Sequence, residues 1–145
     1  MKGWLPRRIR FVKSNTEQDA GVRRVSVELL RPDDGSYVGK AERPSAEVDL
    51  LRAGAEAAAA AVVTAAGTDN AEVKVEDIER VKMFGREIVV ASVSATYRGQ
   101  TFALFGVCEV HEDAATAGAL AVLSATNRVL RGGDMFGCGA RSGAR

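Results

Sequence analysis

The chain has 145 residues, 46% of them hydrophobic and 27% charged, a balance that belongs to one globular domain and excludes a largely disordered protein. A formal net charge of +1 supplies no overall field to draw in nucleic acid or an anionic membrane, and no run approaches the ~18 consecutive apolar residues of a membrane span. The two cysteines, Cys108 and Cys138, form neither a disulfide framework nor spaced zinc ligands, so a reducing, cytoplasmic setting is expected.

Residues 1–21 read as a basic N-terminal arm. Lys2, Arg7, Arg8, Arg10 and Lys13 precede any acid, with Trp4, Leu5, Ile9, Phe11 and Val12 between them. Arg7, Arg8 and Arg10 are therefore candidates for contact with phosphates, a membrane surface or a partner. The alternative is a flexible start followed by an edge strand from Arg8 to Lys13 with its arginines in water, because Pro6 interrupts an amphipathic helix. Ser14 to Gly21 is polar and reads as a loop, and nothing at the N-terminus resembles the apolar core of a signal peptide.

Val22 to Arg31 alternates, with Val25, Val27 and Leu29 inward, and predicts a half-buried strand. Pro32-Asp33-Asp34-Gly35 has the chemistry of a turn, and Ser36 to Glu42 returns as the second strand of a hairpin. Ser45 is then the expected N-cap of a helix that Gly67 ends, with Val48, Leu51, Ala55 and Val62 on its apolar stripe. Glu72 to Met83, Arg86 to Tyr97 and Thr101 to Val110 read as three strands joined by short turns, the middle one central because it is rich in Ile and Val. Asp113 caps a last helix, Ala114 to about Leu130, whose buried face rests on Leu120, Leu123, Leu130 and the alanines between. A Gly-rich tail, 132–145, follows the single domain of residues 22–131.

The fold expected is α+β, a ββα–βββα sandwich with two helices packed on one face of a mixed or antiparallel sheet. Gly106-Val107, Asp113 and Ser124-Ala125-Thr126-Asn127-Arg128 give this last strand and helix a resemblance to the end of the regulatory domain of 2-isopropylmalate synthase and of citramalate and homocitrate synthases. Val48-Asp49 extend it to the Val-Asp of that family's Gly-x-Gly-Pro-Val-Asp-Ala turn, while Ser45-Ala46-Glu47 replace the glycines and proline that precede it. The resemblance implies related halves, pairing with a second copy, and amino-acid effectors bound near that interface. It marks Asp49, Asn127 and Arg128 as ligand or interface residues, although the missing glycines put effector binding in doubt. The catalytic barrel of those synthases has no counterpart in these residues.

The residues themselves offer little chemistry. His111 lies beside Glu109, Glu112 and Cys108, but strand alternation sends Cys108 and Glu109 to opposite faces. No catalytic constellation, metal site or cofactor is therefore expected. A row of hydroxyls, Ser92, Ser94 and Thr96, shares a strand face with Ile88 and Val90, and is expected to face solvent, a pocket or a second subunit. The function expected is a non-catalytic, self-associating regulatory or scaffold module, a homodimer or higher homo-oligomer with a small metabolite or an enzyme as further partner. Two alternatives stay open: a nucleic-acid-binding protein using the basic arm, since Ser45 to Arg131 has the α-β-β-β-α order of a double-stranded RNA-binding domain, and an enzyme of unrecognised class. Nucleic acid is the less expected partner, because His111-Glu112-Asp113 stands where such domains need lysines.

Overall fold

The structure is a computed structural model and describes residues 9–31, 35–45, 49–66, 71–97, 99–111 and 113–130. Its elements run β1 (Arg10–Asp19), β2 (Val22–Arg31), β3 (Gly35–Pro44), α1 (Leu50–Ala66), β4 (Glu72–Met83), β5 (Arg86–Tyr97), β6 (Gln100–Glu109) and α2 (Ala114–Leu130). The strands make two antiparallel three-stranded sheets, β1-β2-β3 and β4-β5-β6. The α+β class holds, and the expected ββα–βββα order is roughly compatible with the βββα–βββα order found, although the strands form two sheets where one was expected. The first half has in addition a third strand, β1, which overlaps the edge strand expected over Arg8 to Lys13 and runs on through Ser14 to Asp19, where a loop is expected.

The full length of β1 is hard to see in the sequence because its apolar residues do not alternate cleanly. A bulge at Val12 shifts the register between Phe11 and Lys13, so Phe11 and Ser14 share the inner face despite their odd spacing. Ala20-Gly21 turns the chain into β2 with both residues at positive φ, 50° and 80°, the geometry of a two-residue hairpin loop.

Each helix lies against both sheets. α1 rests on β2 and β3 and reaches β4, while α2 rests on β5 and β6 and reaches β1. The helices run side by side in the same direction: Gly54 meets Ala115 and Gly118 meets Leu51 near their N-terminal ends, and Val62 and Thr126 line one cleft near their C-terminal ends. The helix pair is therefore a layer between two sheets, which explains why alanines are buried almost all round α1, from Ala53 and Ala55 to Ala57, Ala58, Ala59, Ala61 and Ala65. Thin side chains let the layers close. Gly39 of β3 lies on Ala57 and Ala61, and Gly106 of β6 on Ala121 and Ala125, where a Cβ would sit less than 3.0 Å from helix backbone.

These contacts reveal two copies of one βββα unit. At a constant offset, Asp49 corresponds to Asp113, Ala53-Gly54-Ala55 to Ala117-Gly118-Ala119, Ala57 to Ala121 and Ala61 to Ala125. The same offset takes the bulge at Val12 onto the one at Glu76, and the turn Ala20-Gly21 onto Phe84-Gly85. Pseudo-twofold symmetry relates the halves, and the first strand of each packs on the other half's helix.

Helix starts also follow this symmetry. α1 begins after Asp49, not at Ser45: the Asp49 carboxylate accepts from the Leu51 amide at 3.1 Å, as Asp113 accepts from the Thr116 amide at 2.7 Å. Leu123 is buried as expected, whereas Leu120 is only half-buried.

Candidate functional site

The two halves match inside and differ outside. On the outer face of the first sheet, Arg24 pairs with Glu42 at 2.6 Å and Glu17 at 3.6 Å, and Arg10, Lys13, Ser26, Glu28 and Lys40 share that face. The hydrogen bond to Glu42 is the first cause that raises the Arg24 guanidinium above its ordinary value. Val38 and Leu30 are the apolar exceptions. Mixed charge of this kind is a solvated surface.

The corresponding face of the second sheet is charged along β4, with Glu72, Lys74, Asp77 and Glu79, but apolar where β5 meets β6 as far as Glu109. Val81 stands in the place of Glu17, Ile88 in that of Arg24, Val90 in that of Ser26 and Val107 in that of Lys40, by the register of the two sheets. Phe105 and Val107 are 60% and 54% exposed and lie beside half-buried Ser92 and Val90. The hydroxyls Ser92, Ser94 and Thr96 do share this outer face with Ile88 and Val90, as their alternation indicated. Phe102 and Leu104, by contrast, lie opposite the buried Ala95 and Val93 on the inner side of the sheet, so they do not belong to the same surface. At one end of the face stands the β4–β5 turn, where Met83 is 48% and Phe84 92% exposed, the latter at φ 57°.

The candidate residues named from sequence are not brought together. Asp49 is occupied as the cap of α1. Asn127, near the C-terminal end of α2, holds the start of β1: the Ile9 amide donates to its Oδ1 at 3.1 Å and its Nδ2 donates to the Ile9 carbonyl at 3.1 Å. Its equivalent in α1 is Val63, which lines a shallow apolar cleft with Val62, Ala66, Val73 and Thr126. That cleft has about 10 Å³ of free volume, room for about one water. Arg10 is an exposed residue of β1, opposite Leu30. Arg7, Arg8 and the Arg128 side chain lie outside the described residues.

Titratable chemistry is sparse. Among the described residues no group of three or more His, Cys, Asp or Glu side chains is placed to hold a metal ion. His111 is exposed, with Nε2 3.6 Å from Glu109. Cys108 is a free thiol on the inner side of β6 that donates to the Glu109 carbonyl, and burial, then the Glu109 charge, pushes its pKa up. Among the described residues no helix is long and apolar enough to cross a membrane. Compared with known proteins, the chain matches no protein-family model and no curated protein.

The resemblance implied related halves, but the residue-by-residue repeat was not drawn from the sequence. The signal was present in Asp-x-x-x-Ala-Gly-Ala-x-Ala-x-x-x-Ala, which begins at Asp49 and again at Asp113. Alanine-rich helices obscure such a repeat, because small residues recur in them for packing reasons alone.

Proposed function

We propose that this chain is a non-catalytic, self-associating module of regulatory or scaffold type. What carries the reading is the apolar strip on the outer face of β5 and β6, which the charged residues of β4 border. Val81, Ile88, Val90 and Val107 occupy positions where the other half of the same molecule keeps Glu17, Arg24, Ser26 and Lys40. Both faces sit on similar sheets and helices, so the internal scaffold does not require the difference. An exposed apolar patch flanked by polar residues marks an interaction surface.

The regulatory part of the proposal leans on the resemblance of Gly106-Val107, Asp113 and Ser124 to Arg128 to 2-isopropylmalate synthase regulatory domains, with which related halves agree. A small metabolite or a separate enzyme chain is the further partner it suggests, in a cytoplasmic setting that suits the free thiol of Cys108. The mixed charge around Arg10 and Arg24 gives the nucleic-acid reading no support. Light scattering on the full chain across a concentration series tests the proposal: a mass at least twice the 15.3 kDa of one chain supports it, and 15.3 kDa at every concentration overturns it.

A further inference from the structure

β3 and β6 are equivalent outer strands, each lying over its own helix. They are finished in opposite ways. β3 carries Lys40, Glu42, Arg43 and Pro44, side chains that keep an open strand edge from pairing with another chain. Its flank is closed by ion pairs, Arg43 with Glu56, Arg52 with Glu56 at 3.4 Å, and Arg52 with Asp77 at 3.9 Å. β6 reads QTFALFGVCE and has no charge before Glu109. Along it the duplicated positions change in one direction: Ala103 for Ser36, Val107 for Lys40, Val110 for Arg43, and Leu120 of α2 for Glu56 of α1. The other two outer strands, β1 and β4, are each interrupted by a bulge, and β4 carries seven charged side chains in EVKVEDIERVKM. Among the described strands, β6 alone presents an unbroken edge with neither a bulge nor a charge before its last residue.

We infer that two copies of the chain pair through β6, antiparallel and edge to edge about a twofold axis, joining their second sheets into one six-stranded sheet. This rests on the self-associating reading and names its surface. Antiparallel self-pairing near the middle of β6 sets Phe105 and Val107 against the same apolar residues of the other copy, with no like charges opposed. It also brings the apolar faces around Val90 side by side, and sets the flanks carrying Val110 and Leu120 against each other. A single bound peptide strand would cover the edge and leave those flanks in water; a second copy covers all three. The contact closes on itself and leaves no unguarded edge. Ten residues of strand span about 33 Å, and with a contact depth of roughly 15 Å two copies bury on the order of 1,000 Å², the lower bound for a specific interface.

Hydrogen–deuterium exchange on the full chain, read alongside light scattering from dilute to concentrated solution, tests the pairing. The expected result is a mass rising to twice 15.3 kDa while exchange in residues 101–108 slows at least tenfold. Val107→Lys, a change to the residue that the first half already carries at Lys40, should return the mass to that of one chain and keep a cooperative thermal transition. Phe105→Lys supplies a second variant if the first fails to fold. A dimer whose β6 exchange does not change with concentration overturns the pairing and leaves self-association standing. A single-chain mass at every concentration overturns both, whether or not β6 is protected.

Discussion

Gly54 of α1 and Gly118 of α2 face each other's helices with no side chain between. A Cβ on Gly54 would lie less than 3.0 Å from the Ala115 backbone, and one on Gly118 less than 3.0 Å from the Leu51 carbonyl. The neighbouring atoms are backbone and cannot rotate away. In an exposed helix Gly→Ala gains about 0.5–1 kcal/mol; here Gly54→Ala and Gly118→Ala should each lose about 1–3 kcal/mol through overpacking. Urea unfolding measures this directly, and an unchanged or raised midpoint for both variants would contradict the backbone-to-backbone approach of the helices.

The Asn127 side chain answers both main-chain groups of Ile9, and Ile9 is only 3% exposed. Asn127→Ala leaves a buried amide and carbonyl without those partners, so a loss of about 1–3 kcal/mol is expected. The effect should be local first: the amides at the start of β1 should exchange faster than those of β5. Equal acceleration in both strands would show that Asn127 acts on the whole domain and not on the entry of the chain into β1.

How far these features were legible in the sequence depended on whether local chemistry or distant packing set them. Val25, Val27 and Leu29 announce β2 by alternation, and Asp113 announces α2 by its place before a long helical run; both are local, and both hold. The edge strand expected over Arg8 to Lys13 overlaps β1, but its continuation to Asp19 was not legible, because the bulge at Val12 breaks its period and because Ser14 turns inward to a hydrogen bond with Thr116 of α2 at 2.9 Å, a contact between residues far apart in the chain. Ser45 looked like a cap for the same local reasons as Asp49, and only the geometry separates them. The candidate surface was half legible. Ile88, Val90 and Ser92 could be assigned to one face, but what makes that face unusual is its contrast with Arg24, Ser26 and Glu28, and that contrast needs the duplication to be recognised.

Phe84 occupies a left-handed conformation, φ 57°, while 92% exposed. A bulky L residue is strained there, and the side chain recovers little by burial. The turn type favours Asn followed by Gly, and Gly85 is already in place. Phe84→Asn should therefore raise stability by about 0.5–1 kcal/mol, seen as a higher melting temperature. No increase, or a decrease, would mean that the aromatic ring makes contacts that offset the strain.

Cys108 gives the pH dependence. Burial first, and then the neighbouring Glu109 carboxylate, raise its pKa in the folded chain. At any given pH the folded protein therefore holds less thiolate than an ordinary thiol does, and the thiolate is the reactive form. In a Cys138→Ser variant, which leaves one cysteine, alkylation should be slower in the native state than in urea, and its rate should climb with pH through a midpoint above that of the unfolded chain. The linked stability has the corresponding sign: the contribution from the neutral thiol is complete below the unfolded pKa and is lost as pH rises through the folded one. Glu109→Gln removes the second cause and leaves burial, so it should lower the native midpoint only in part. A native midpoint at or below the unfolded value would show that Cys108 is not held on the inner side of β6, and the inward assignment of Phe102, Leu104 and Gly106 on that strand would have to change with it.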